Sequence, residues 1–225
     1  MKLNEKKSRI KKVEGMELLK KYSTIIAYTD FNEIKFAVFE LKESLYRLEE
    51  YLYYSDTNPF SDNISYIKYS RFVYESYLND TYIIQTRFRK LIDSIKKEAR
   101  FNFTANETRI IEENFSVVVK KMRKITKDLR GGHVHDRRYN DKDFMICDLM
   151  ERENRIHKML TGKPKQEYDG KDLYYYVTVG HLNDVQDMII ENNNYIYGCL
   201  DDFLKKILEI IIDKICVYID SLKKW

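Results

Sequence analysis

Glycine and proline are scarce in this chain, with seven Gly and two Pro among 225 residues. Antiparallel sandwiches and barrels need many tight turns, and doubly wound folds need glycine-rich βα loops, so both are disfavoured. Cysteine is scarce as well. Cys147, Cys199 and Cys216 stand far apart with no CxxC spacing, which suggests neither a disulfide framework nor a zinc finger and fits a reducing cytoplasm. No long apolar run exists. The most apolar segment, 203–222, is interrupted by Lys205, Lys206, Glu209, Asp213, Lys214 and Asp220, so it reads as a buried amphipathic helix and not a membrane span. The opening MKLNEKKSRIKKVEG has no apolar stretch behind it and does not read as a signal peptide. No P-loop, GxGxxG, serine nucleophile elbow or DxD cluster is found, so nucleotide hydrolysis by those routes has no support and no cofactor is expected.

What remains is a chain rich in apolar (44%) and charged (34%) residues, enough for a folded core. Few breakers and long periodic segments predict an all-α bundle of five or six helices in a single helical domain, 1–225. A first helical region covers about 14–54, with a break near Thr29–Asp30. The turn-rich SDTNPFSDN (55–63) follows, then a helix over about 64–99. Thr104-Ala-Asn-Glu107 has the form of a capping box. Behind it, Ile111, Phe115, Val118, Met122, Ile125 and Leu129 step by 4, 3, 4, 3 and 4, an apolar stripe suited to a bundle. Gly131-Gly132 should end that helix. Asp141 can cap a fourth helix reaching about Leu160. After the loop 161–171, two more helices are expected, over about 172–192 and from Tyr195 onward. The 19 tyrosines are spread along the chain and read as a compositional habit. Rows such as Tyr51–Tyr54 and Tyr174–Tyr176 read first as half-buried helix surface, with base stacking as the alternative.

Charge is unevenly placed. The net charge is +4, yet residues 120–138 alone carry +6 and residues 1–21 carry +5, which leaves −7 on the rest. A basic focus on a mildly acidic body points to an anionic partner such as nucleic acid.

The basic focus ends in Arg130-Gly-Gly-His-Val-His-Asp-Arg-Arg138, which gathers two of the four histidines and three arginines into nine residues. Arginine fixes phosphate through paired charge-assisted hydrogen bonds, and histidine exchanges a proton near neutral pH. Attack of a ribose 2′-OH on its neighbouring phosphate needs both functions and no metal. On an unbroken helix Arg130 and His135 stand about 140° apart, so a bend at the glycines is expected if both are to reach one phosphate. An ordinary helix C-cap at Gly131, with Arg130 complementing the helix dipole, is the competing explanation. His133, His135 and Asp136 lack a third metal ligand at fixed spacing, and His157 and His181 are isolated and read as structural. No metal site is expected.

Arg130-x4-His135 at the end of a basic helix, in an all-α chain with long antiparallel helices, resembles the HEPN superfamily (higher eukaryote and prokaryote nucleotide-binding domains). The resemblance covers about 14–160 as a HEPN-like core and leaves 172–225 as additional packing helices. It implies a homodimer in which two copies of the motif form one cleft. It also implies a metal-independent endoribonuclease of toxin–antitoxin or antiphage systems, with RNA as substrate and an antitoxin protein as a further partner. Arg130 then holds the scissile phosphate, His135 acts as general base or acid, and Lys127, His133, Arg137 and Arg138 contact RNA. Gly131 stands where the family usually has a polar residue, which motivates the alternative of an inactive HEPN-like module that binds RNA, a nucleotide or a protein.

Overall fold

Among the described residues, six α-helices form along the periodic segments, and local turn chemistry accounts for several of their ends. The computed structural model describes residues 14–27, 29–56, 66–135, 142–163, 167–168 and 171–222. Helices α1 (Glu14–Ala27) and α2 (Asn32–Asp56) part at the expected place. The Thr29 amide and hydroxyl both turn back to the Ile26 carbonyl, at 3.0 and 2.7 Å, and divert the chain from helix. Helix α3 (Tyr66–Lys97) runs into a short 3₁₀ turn at Ala99–Phe101, closed by Asn102 in the left-handed region at φ 44°. Asparagine accepts that conformation at lower cost than most residues.

Helix α4 (Ala105–His135) starts with the predicted capping box. The Thr104 amide donates to Glu107 Oε2 at 2.7 Å, and the Glu107 amide donates to Thr104 Oγ1 at 3.2 Å. Helix α5 (Lys142–Thr161) ends on Gly162, which takes φ 73° and donates its N–H to the Lys158 carbonyl at 2.9 Å, a left-handed glycine stop. A two-residue antiparallel ladder joins β1 (Glu167–Tyr168) to β2 (Lys171–Asp172), and α6 (Leu173–Leu222) completes the chain.

Helix α6 corrects the expectation of two C-terminal helices. It is one helix of 50 residues that passes through Asn192-Asn193-Asn194 without interruption. Asn193 is fully buried. Its amide donates to the Leu48 carbonyl at 3.1 Å, while its Oδ1 accepts from the Tyr77 hydroxyl at 3.1 Å. Those contacts occupy the side chain that would otherwise compete with helical backbone bonds.

Cross-links between helices give their directions. Tyr51 meets Asp80, Ser44 meets Arg87 and Glu40 meets Lys90, so α2 and α3 are antiparallel neighbours. Tyr74 with Met188, Tyr77 with Asn193 and Phe88 with Phe203 run α3 and α6 parallel. Glu107 with Lys214 and Asn114 with Lys206 set α4 antiparallel to α6. Helix α6 touches each of the five other described helices, and one core cluster draws on all six, from Leu19 through Ile34, Ile84, Ile111 and Cys147 to Ile215. The protein is an all-α helical bundle with α6 as its central member. Among the described residues, no helix is long and apolar enough to cross a membrane.

Several tyrosines are structural. Tyr51, Tyr77 and Tyr197 are buried and anchor their hydroxyls on Asp80, Asn193 and the Leu45–Glu49 turn. Burial is the main force raising the pKa of each phenol above its ordinary value, so all three stay neutral donors.

Candidate nucleic-acid interface

The apolar stripe of α4 settles which side of that helix faces the bundle. Ile111, Val118 and Met122 are buried and Phe115 packs against the same core. At 100° per residue these four fall within about 60° of the helix circumference. Lys120, Lys121 and Arg123 are exposed, as the opposite side of an amphipathic helix requires.

The second correction lies at the glycines. Helix α4 does not stop at Gly131 but continues through Gly131 and Gly132 to His135. Glycine accepts right-handed helical angles as readily as left-handed ones, and a C-cap also needs the left-handed turn with its reverse hydrogen bond, as Gly162 supplies at the end of α5. The bend that was to bring Arg130 and His135 together is therefore not in the backbone.

From residue 124 onward α4 is described as backbone alone, so Lys127, Arg130, His133 and His135 have positions on the helix and no side-chain geometry. Counted from Ile111, Arg130 lies about 100° round the axis, Lys127 about 160°, Lys120 about 180° and His135 about 240°. Arg130 and His135 thus bracket a strip containing Lys120 and Lys127. The Arg130 position stands only about 20° from that of buried Val119, at the border of the bundle-facing side, and the rest of the strip lies away from the apolar stripe. His133 falls about 40° from Ile111, in line with that stripe. Arg137 and Arg138 lie outside the described residues. The helical period also brings in Lys120 and Arg123, counted in the basic cluster but not assigned to RNA by the motif alone.

The other histidines have local work. His157 Nδ1 lies 3.0 Å from the Lys163 carbonyl and 3.2 Å from Thr161 Oγ1, at the end of α5, while His181 is buried in α6. Among the described residues, no three His, Cys, Asp or Glu gather as a metal-ligand group. In the row 51–54, Tyr51 belongs to the core and Tyr53 and Tyr54 are exposed, their rings edge to face at 6.0 Å.

Set against known protein families, curated proteins and solved structures, the chain matches none.

Proposed function

We propose that this chain acts on RNA as a metal-independent endoribonuclease of HEPN type, in the cytoplasm, as a toxin or antiphage effector held by an antitoxin protein. The observation that carries the reading is the cationic side of α4 running into Arg130-x4-His135. Lys120, Arg123 and Lys127 track the phosphate backbone, joined by Arg137 and Arg138, while His133, in line with the apolar stripe, has at most a peripheral share. Arg130 stabilises the charge that develops on the scissile phosphate. His135 moves the proton of the attacking 2′-OH or of the leaving oxygen. With about 140° between them on one helix, the two residues serve one phosphate most simply when Arg130 of one copy meets His135 of the other across a homodimer cleft.

One observation favours a second reading. The uninterrupted helix at Gly131-Gly132 and the glycine after Arg130 both suit a module that binds RNA along the strip without cutting it.

Single variants separate the two. Arg130→Ala should lower the cleavage rate about 10²–10³-fold and His135→Ala about 10²–10⁴-fold, with His133→Ala much milder. Mixing the Arg130→Ala and His135→Ala proteins should restore part of the activity if the cleft is shared. RNA that is bound but left intact by the unaltered protein supports the module. Full activity in both single variants rejects the catalytic assignment.

A further inference from the structure

Helix α5 buries one side and leaves the other bare. Cys147 is buried against the bundle, whereas Met145, Ile146, Leu149, Ile156, Met159 and Leu160 are exposed, the last two by 82% and 80%. At 100° per residue these six fall within an arc of about 140°, on the side opposite Cys147. Two apolar clusters on one face, 145–149 and 156–160 with Arg152 and Glu153 between them, mark an interaction surface rather than scattered surface residues.

Its spacing says what covers it. The six exposed apolar positions of α5 pair symmetrically about a midpoint between Arg152 and Glu153: Met145 answers to Leu160, Ile146 to Met159 and Leu149 to Ile156, whereas Cys147 and Met150, which answer to Lys158 and Arg155, lie off this face. A two-fold axis through that midpoint sets apolar on apolar at each level and places the arginine of each copy beside the glutamate of the other. An unrelated partner imposes no such symmetry, but an isologous contact requires self-complementarity. We propose that this face is the contact between two copies of the chain, with the α5 helices crossing antiparallel about an axis between Arg152 and Glu153. Arg152 pairs with Asp148 in its own helix at 2.9 Å and remains largely exposed, so its long stem covers apolar neighbours while its head reaches the rim. A charged residue within an apolar seam fixes register at some cost in affinity. One helix pair lies at the small end of specific interfaces, which predicts a micromolar dimer.

Sedimentation of the full chain from about 1 to 100 µM tests this. The expected result is a concentration-dependent dimer that Leu149→Asp or Ile156→Asp converts to monomer with unchanged helical circular dichroism. Arg152→Glu alone should weaken the dimer about tenfold or more by setting like charges together, and the double variant Arg152→Glu/Glu153→Arg should recover it. A monomer at every concentration overturns the proposal, as does a dimer that survives the aspartates or a double reversal that fails to recover. The outcome is separate from RNA cleavage: an inactive protein that dimerises through α5 retains the seam and loses only the catalytic reading.

Discussion

Asn193 shows how a single side chain decides more than its type suggests. Its donor and acceptor tie α6 to the Leu48 carbonyl on α2 and the Tyr77 hydroxyl on α3. Asn193→Ala strands that hydroxyl in the core and should cost about 2–3 kcal/mol, read from urea midpoints. Smaller effects belong to two half-buried carboxylates. The Arg100 guanidinium, hydrogen-bonded to both Glu98 oxygens, holds that carboxyl below its ordinary value. Lys214, followed by the Thr104 amide, does the same for Glu107. A depressed carboxylate stabilises the fold above its unfolded-state pKa of about 4.3 and loses that contribution as pH falls through its lower folded value. Urea midpoints should therefore decline on acidification below about pH 5, modestly because water screens both pairs. Thr104→Ala should remove about 1 kcal/mol by opening the capping box. The capping box was legible in the sequence because it is local. The partners of Asn193 were not, since Leu48 lies 145 residues away.

Element ends divide along the same line. The α1–α2 break at Thr29 and the box at Thr104 use neighbours in sequence, and periodicity alone exposes them. The passage of α6 through three asparagines and of α4 through two glycines depends on whether a left-handed turn or tertiary contact is present, which residue types leave open. The glycines make a direct comparison. Gly131→Ala and Gly132→Ala, in helical backbone, should each raise stability by about 0.5–1 kcal/mol. Gly162→Ala, at φ 73° with open space around it, should lower it by about 1 kcal/mol through backbone strain alone. Thermal melts of the three variants check the set. Destabilisation by both substitutions in α4 would contradict the continuous helix, and lost RNA cleavage in a stabilised Gly131→Ala protein would show that activity needs the helix to open there.

Across the whole molecule, the helical bundle followed from scarce breakers and strong periodicity, whereas the route from motif to site ran only as far as a shared helix and a cationic side. An α5 seam sets the two Lys142 residues about 30 Å apart along its axis, so a composite cleft requires both motifs to reach back toward the two-fold. Failed complementation between Arg130→Ala and His135→Ala in an intact dimer would remove the shared cleft and leave the seam. The central claim, that this protein cuts RNA with its own arginine and histidine, is tested most directly by incubating it with RNA and DNA in excess EDTA. Cleaved RNA ending in 2′,3′-cyclic phosphate beside intact DNA is the predicted result. Cleavage abolished by EDTA, equal cutting of DNA, or RNA left intact, whether bound or not, would contradict it.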